Sequence, residues 1–221
     1  MSYRRGIGIL LILGAYLVVC ALGYLGIITC RQNLLGWFLI LTAVVYGLGG
    51  PFLLRINLNR DGVISQERQD RSFWQILPGF LVVFYASPLE YLYIPPVLPR
   101  GNWIQVIGLV LIAFSMLLIT WAQRALKGRY SARIRVVAGQ TLVQDGPYHY
   151  LRHPAYAGFL IMGLGISIGF SSLIGLLAVP LLLLPGLLYR IKIEEQILRS
   201  QFGEAYALYS QHTHRLIPGI W

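Results

Sequence analysis

The sequence predicts an all-α fold, a polytopic membrane helix bundle of about six spans, with five as the alternative count. Hydrophobic residues make up 57% of the 221-residue chain and charged residues only 12%, roughly half the usual charged share. Mean hydropathy is +0.65. Several apolar runs are long enough to cross a hydrocarbon layer about 30 Å thick at about 1.5 Å of helix rise per residue. Together these features indicate an integral membrane protein.

The first half of the chain contains four of the predicted spans. Ile7–Thr29 is followed by no small-residue cleavage pattern, so we expect a retained span rather than a signal peptide. A short loop separates it from Leu34–Leu54, which predicts a helical hairpin. Leu77–Ile94 is the third span, which Pro88 is expected to break. Trp103–Trp121 is the fourth, and its terminal tryptophans are typical of membrane interfaces.

The second half contains two shorter apolar runs. Ala155–Phe170 and Leu173–Tyr189 are each short for a full span, and we expect them to form a tight hairpin joined through Ser171-Ser172. Pro180 and Pro185 are expected to bend the second helix. A polar tail follows, with helical periodicity as far as residue 211.

The basic residues predict the orientation of the bundle. Of the 18 Lys and Arg residues, all but Arg31 and Arg100 lie in the N-terminus and in the segments 55–76, 123–154 and 190–221. Basic loops face the cytoplasm, so we expect both termini there. The net charge of +10 is explained by anionic cytoplasmic lipid, and no nucleic-acid partner is predicted because the arginines form no long run.

The polar stretch Gln140–Tyr156, QTLVQDGPYHYLRHPAY, is the first candidate for chemistry. Gly146 and Pro147 predict a turn, and Pro154 is well placed in the first turn of the helix that follows. This stretch is therefore expected to enter a membrane helix while carrying an arginine, an imidazole and tyrosines. An active site at a bilayer surface has this composition.

A metal site is not predicted in this stretch. His149 and His153 are four residues apart, which is a metal-binding spacing on a helix. However, Pro154 and the Gly-Pro turn argue against a helix across both histidines, and no third ligand is near.

The second candidate lies at the end of the last span. Arg190 and Glu194 are four apart, so they share one helix face, whereas Glu195 points about a quarter-turn away. Taken alone, the pair is also typical of an interfacial ion pair. However, Gln140–Tyr156 and this helix end bracket a single hairpin and must return to the same membrane surface. There they offer tyrosines for a planar heterocycle, carboxylates for hydroxyls or a cation, and arginines for an anion.

Two other features have a structural and a functional interpretation. Glu90 lies near the far end of the third span, where an acidic residue is either interfacial or functional. Gly163-Leu164-Gly165 in the fifth span either lets a flat ligand approach the backbone or forms a helix-packing surface, and packing is favoured.

Three motifs resemble the isoprenylcysteine carboxyl methyltransferase family, which is related to the phospholipid N-methyltransferases. They are GPYHYLRHPAYAG, RIKIEEQILRSQFGEAYALY and the closing RLIPGIW. The resemblance is dense from about Arg124 to the C-terminus, whereas residues 1–123 match only as membrane spans. We therefore divide the chain into an N-terminal membrane region, 1–123, and a methyltransferase-like catalytic region, 124–221.

The resemblance implies a site for S-adenosylmethionine made of cytoplasmic loops and the C-terminal helix. The implied cofactor contacts are Gln140, Thr141, Leu142, Val143, Tyr148, His153, Pro154, Ala155, Tyr156 and Glu194. The implied catalytic residues are Arg190, which faces the substrate carboxylate, and Glu194. The family often has His where this chain has Gln140, so that contact departs from the pattern.

The implied reaction is methylation of a prenylated or otherwise lipidic carboxylate. Such a carboxylate is already ionised at neutral pH, so the enzyme needs only to align the reactants and exclude water. Surrounding membrane lipid is expected, and no obligate protein partner is inferred. Three alternatives stay open: a phospholipid or amine N-methyltransferase, a sterol-reductase-like enzyme using NADPH, and a membrane transporter or scaffold without enzymatic activity.

Overall fold

The computed structural model describes residues 2–45, 72–126, 142–217 and 219. Apart from an isolated bridge between Leu151 and His214, the regular structure of these residues is helical. The helices are α1 (Ser2–Thr29), α2 (Leu35–Val45), α3 (Ser72–Leu81), α4 (Ser87–Tyr93), α5 (Asn102–Ala125), α6 (Pro154–Gly169), α7 (Leu173–Ala178), α8 (Leu184–Phe202) and α9 (Glu204–Gln211). The all-α prediction is confirmed.

Within the described residues, three helical stretches are long and apolar enough to cross a membrane. They are Gln75–Tyr93, Asn102–Ala125 and Leu173–Phe202. The described residues also include three shorter apolar helices at the other predicted spans, namely Tyr16–Thr29, Leu35–Val45 and Pro154–Gly169. The last part of the predicted span Leu34–Leu54 lies outside the described residues.

The last helical stretch differs from its predicted length. The sequence predicted a short sixth span that ends at Tyr189, but the helix continues to Phe202 and is 30 residues long. The polar residues after Tyr189, for which the sequence predicted helical periodicity, are good helix formers and continue the same helix. The continuation carries Arg190 and Glu194 beyond the apolar part of the helix.

Prolines widen two of the helices instead of breaking them. A π-helical turn, Val82–Ala86, joins α3 to α4 and ends two residues before Pro88. Another, Val179–Leu183, contains Pro180, joins α7 to α8 and ends two residues before Pro185. A proline has no N–H for the carbonyl four residues earlier and clashes with it, so the preceding turn opens into the wider π geometry. The prediction that Pro88 breaks the third span was therefore wrong, because the helix continues to Tyr93.

Glycines allow α5 and α6 to pack with their backbones in contact. A Cβ on Gly108 would lie 2.6 Å from the Cα of Gly169 and 2.7 Å from the carbonyl oxygen of Gly165. Gly163 faces the π-helical turn Val179–Leu183, where a Cβ would lie 3.0 Å from Leu183 Cδ2. Both ends of Gly163-Leu164-Gly165 thus contact neighbouring helices, which confirms its interpretation as a packing surface.

The interhelical loops meet at one end of the bundle. Asn33 donates to the carbonyl of Gly169 at 2.9 Å, and Ser171 donates to the carbonyl of Pro99 at 2.7 Å. The buried carboxylate of Glu90 accepts hydrogen bonds from the first residues of the long last helix: Ser172 Oγ, and the N–H groups of Leu173 and Ile174, each at 3.0 Å.

Glu90 therefore acts as a helix cap. Because α6 begins and α8 ends at the opposite end of the bundle, the two candidate segments share that end.

Candidate active site

A tight turn brings the polar loop to the start of α6. Gly146 has φ +63°, a conformation that glycine adopts without strain, and a 3₁₀ turn, Gly146–His149, follows. The Tyr209 hydroxyl on α9 donates to the carbonyl of Tyr148 at 2.7 Å and anchors this turn. Pro154 then opens α6, as the sequence predicted.

Arg190 is buried beside the first turn of α6. Only 5% of its surface is exposed. Its Nε donates a 2.7 Å hydrogen bond to the hydroxyl of Tyr156, and its guanidinium carbon lies 5.9 Å from the centre of that ring. A guanidinium held in this way at the end of a membrane helix is a ready site for a carboxylate.

His153 lies between two carboxylates. Its Nδ1 is 3.5 Å from Glu194 Oε2 and its Nε2 is 3.6 Å from Glu195 Oε1, while the residue is 4% exposed. Its ring stacks on Tyr156 with centroids 5.5 Å apart. Burial alone would lower the pKa of His153, but the two carboxylates outweigh burial and raise that pKa above its ordinary value.

The structure brings together four of the residues that the sequence selected: His153, Tyr156, Arg190 and Glu194. Pro154 and Ala155 are buried in the first turn of α6, next to this group. Among the other implied cofactor contacts, Leu142, Val143 and Tyr148 are half-buried in or just before the turn, and Gln140 and Thr141 lie outside the described residues.

The central group has polar atoms available to a ligand. Glu194 Oε2 and His153 Nε2 are both buried, and within the described part of the chain neither makes a hydrogen bond of normal length; their ion-pair contacts are longer, at 3.5 Å to His153 Nδ1 and at 3.6 Å to Glu195 Oε1. Buried polar atoms are normally paired, so such atoms on facing helix ends are suited to a polar ligand. These are the features that a site for a ribose or a cationic amino-acid moiety requires.

His149 does not take part in this group. It is exposed and packs edge-on against Tyr150, with ring centroids 4.9 Å apart. The 3₁₀ turn ends at His149 and α6 begins only after His153, so the two histidines do not share a helix. In the described segments no three His, Cys, Asp or Glu side chains are grouped as metal ligands.

The sequence missed a charged cluster behind His153. Glu195 is 5% exposed and accepts from Arg152 Nε at 3.0 Å and from Arg215 Nε at 3.2 Å. The only sequence signal was that Glu195 adjoins Glu194 and Arg152 adjoins His153. The third member, Arg215, is 20 residues from Glu195, and no local periodicity links them.

Comparisons with known proteins find similar sequences among methyltransferases. The phospholipid methyltransferase family matches residues 103–205. Protein-S-isoprenylcysteine O-methyltransferase B of Arabidopsis thaliana is 30% identical over 148 residues, which cover 64% of this chain and 74% of that protein. Protein-S-isoprenylcysteine O-methyltransferase of Schizosaccharomyces pombe is 39% identical over 79 residues, which cover 36% of this chain and 34% of that protein.

A solved structure has a similar fold. It is the eukaryotic intramembrane Ras methyltransferase, isoprenylcysteine carboxyl methyltransferase, which matches with a TM-score of 0.61 at 24% identity. The match covers 84% of this chain and 66% of that chain. The present chain thus spans 74% of the Arabidopsis relative, 66% of the solved structure and about a third of the fission yeast relative.

Proposed function

The chain belongs to the isoprenylcysteine carboxyl methyltransferase family of integral membrane methyltransferases, and from that premise we propose that it methylates the carboxylate of a prenylated or similarly lipidic substrate with S-adenosylmethionine as donor. We also propose that the active site faces the cytoplasmic side of the membrane. The site lies at the end of the bundle that also holds Arg124, Lys192 and Arg199, so the cofactor enters from the cytoplasm.

One observation carries the proposal: a continuous set of contacts joins an anion-binding group to a cation-binding group. Arg190 donates to the Tyr156 hydroxyl, Tyr156 stacks on His153, and His153 faces Glu194. The arginine is suited to the carboxylate of the acceptor, and Glu194 is suited to the cationic or hydroxyl side of the donor. Both groups are therefore fixed within one small site, which is how an enzyme aligns two reactants.

The residues of this site fit the donor. Glu194 Oε2 and His153 Nε2, both buried, supply polar atoms, and the Tyr156 ring supplies a flat surface. The other proposed contacts are Gln140, Thr141, Leu142, Val143, Tyr148, Pro154 and Ala155. When bound, S-adenosylmethionine supplies a sulfonium methyl: a bond forms from the carboxylate oxygen to the methyl carbon, the carbon–sulfur bond breaks, and its electron pair stays on sulfur.

The chain needs no general base for this transfer. A carboxylate is ionised at neutral pH and loses no proton in the step, so the task of Arg190 is to orient it. An amine acceptor would instead have to release a proton, and a buried arginine beside it would oppose the developing positive charge. The buried Arg190 therefore favours a carboxylate acceptor over an amine acceptor.

An apolar cluster beside the site is suited to the lipid tail of the acceptor. Ile76, Leu183 and Leu187 are buried there, and Phe80 packs edge-on against Phe159 with ring centroids 5.4 Å apart. Tyr156 packs against the same cluster. A substrate with its carboxylate at Arg190 can therefore place an apolar chain among the helices.

The test is methyl transfer to a defined acceptor. Purified protein in lipid nanodiscs would be incubated with methyl-labelled S-adenosylmethionine and N-acetyl-S-farnesylcysteine, and the product treated with alkali. A methyl ester releases its label as volatile methanol, whereas a methylated amine keeps it. We expect alkali-labile label that is lost in Arg190→Ala and kept in Arg199→Ala, which alters an exposed arginine of the same helix.

Two results would contradict the proposal. Alkali-stable label in the phospholipid fraction would identify an N-methyltransferase, the activity after which the matching family is named. Absence of label in any acceptor, from protein that binds S-adenosylmethionine, would exclude both methyl acceptors tested.

A further inference from the structure

The closing segment of the chain docks directly on the candidate site. We call Thr213–Leu216 the C-terminal strap. The N–H of Arg152 donates to the carbonyl of His214 at 2.7 Å, and the N–H of His153 donates to the carbonyl of Arg215 at 3.1 Å. The strap is therefore bonded to the backbone of His153, one of the residues proposed to hold the cofactor.

Side-chain contacts also hold the strap in place. Arg152 Nη1 donates to the carbonyl of Ser210 at 2.8 Å and also to the carbonyl of Thr213. Leu216 is 4% exposed and packs in a cluster that includes Leu151 and Ile191. The strap thus joins the loop before α6 to the polar part of α8.

Arg215 links the strap to His153 through Glu195. Its Nε lies 3.2 Å from each oxygen of the Glu195 carboxylate, and its Nη2 lies 3.0 Å from Oε2. The same carboxylate is 3.6 Å from His153 Nε2. A planar guanidinium with two donors on one carboxylate fixes the direction in which that carboxylate faces. Together with Arg152, whose Nε donates to Oε1 at 3.0 Å, Arg215 therefore fixes how Glu195 faces the imidazole.

We propose that Arg215 is a positioning residue for the methyl donor, which acts through Glu195 to hold His153 in its binding orientation. This inference rests on the proposed function, because it assigns a role in binding S-adenosylmethionine. It assigns a role to Arg215, the first residue of the closing motif RLIPGIW, to which the contacts of Arg190 and Glu194 assign none. Arg215 is joined to His153 through Glu195, so the proposed effect is on affinity for the donor and is transmitted through that carboxylate.

The experiment is a double-mutant cycle on donor affinity, measured by calorimetry with full-length protein in nanodiscs. The variants are Arg215→Gln, Glu195→Gln and the two combined, and Arg199→Gln is the control with the same charge change at an exposed site. We expect Arg215→Gln to raise the Kd for S-adenosylmethionine roughly ten- to a hundredfold, the effect of losing a charge-assisted contact. The same substitution should add little when Glu195→Gln is already present.

Three results would overturn the inference. The first is a wild-type Kd in folded Arg215→Gln. The second is an equal effect of Arg215→Gln in the two backgrounds, because a purely structural or independent contribution is additive. If Arg215→Gln does not fold, Arg215→Lys replaces it. A lysine supplies one donor in place of two, so the Kd should rise several-fold. A wild-type Kd in that variant is the third contrary result.

The design separates this inference from the proposed function. If the wild type binds the donor and Glu194→Ala does not, the donor site of the proposed function stands, and the Arg215 variants alone decide the inference. If the wild type binds no S-adenosylmethionine, both are overturned together.

Discussion

The Nε of Arg190 donates a 2.7 Å hydrogen bond to the hydroxyl of Tyr156, across the gap between α8 and α6. Tyr156 stacks on His153 on one side and packs against the apolar cluster of Ile76, Leu183 and Leu187 on the other. This single hydroxyl therefore ties the proposed acceptor-binding arginine to the helix that carries the proposed donor contacts. It aims the guanidinium without neutralising its charge.

Removing that hydroxyl should weaken acceptor use more than donor binding. Tyr156→Phe keeps the ring that stacks on His153 but leaves Arg190 without this acceptor. Hydrogen bonds to charged groups contribute about 1.5–3 kcal/mol, so we expect kcat/KM for the farnesylcysteine acceptor to fall roughly ten- to a hundredfold. The control is Tyr189→Phe, the same change at the exposed neighbour of Arg190. An equal fall in both variants would show that the Arg190 contact is not the cause.

The raised pKa of His153 predicts how stability depends on pH. The two flanking carboxylates raise this pKa in the folded state above the value of about 6.5 in the unfolded chain. The charged imidazole therefore contributes its full stabilisation below about pH 6.5 and loses it as the pH rises through the folded-state pKa.

Thermal melts of wild type and His153→Gln at pH values from about 6 to about 9 measure this dependence. The wild type should exceed the variant by most at the acidic end, and the gap should close as the pH rises. A gap that is constant or that widens with pH would show that the folded-state pKa is not raised.

Glu90 is expected to stabilise the fold without contributing to the active site. Its carboxylate accepts from the N–H groups of Leu173 and Ile174 at the end of the bundle remote from Arg190. Glu90→Gln should cost about 1–3 kcal/mol, because one buried acceptor is lost and an amide N–H faces a backbone donor. Melting temperature and the Kd for S-adenosylmethionine are the two readouts.

The expected result for Glu90→Gln is a lower melting temperature and an unchanged Kd in the folded fraction. Glu204→Gln, at an exposed glutamate of α9, should change neither. A large loss of affinity with normal stability would instead assign Glu90 a role in ligand binding.

The α5–α6 contact predicts a sharp difference between two glycines. Gly108→Ala would place a Cβ 2.6 Å from the backbone of Gly169, which cannot move aside cheaply, so we expect a loss of about 1–3 kcal/mol. Gly14→Ala in α1 meets nothing within 4 Å and should be neutral or stabilising by up to about 1 kcal/mol. Thermal melts of both proteins check this. Equal melting temperatures would contradict the close packing of α5 on α6.

The sequence was informative where function depends on local spacing. Helical period placed Arg190 and Glu194 on one face, and the hairpin between them and the polar loop required both to lie at one membrane surface. Hydropathy alone could not say where the last helix ends, because the polar extension to Phe202 lies beyond the apolar part of the helix.

Contacts between residues far apart in the sequence could not be predicted from local patterns. The contacts of Arg215 with Glu195, and of Glu90 with the start of the last helix, join residues 20 and 83 positions apart. Charge and hydropathy windows do not detect such pairs, since each partner looks like an ordinary surface or interfacial charge. Only the three-dimensional arrangement shows that Glu195 is buried behind His153.

The most direct test of the account is calorimetric binding of S-adenosylmethionine to purified wild type, Glu194→Ala and His153→Ala, with Lys192→Ala as an exposed control on the same helix. We expect the wild type and the control to bind S-adenosylmethionine. Both site variants should lose binding while their thermal melts remain cooperative. No binding by folded wild type, or undiminished binding by Glu194→Ala and His153→Ala, would contradict the central claim that these residues hold the methyl donor.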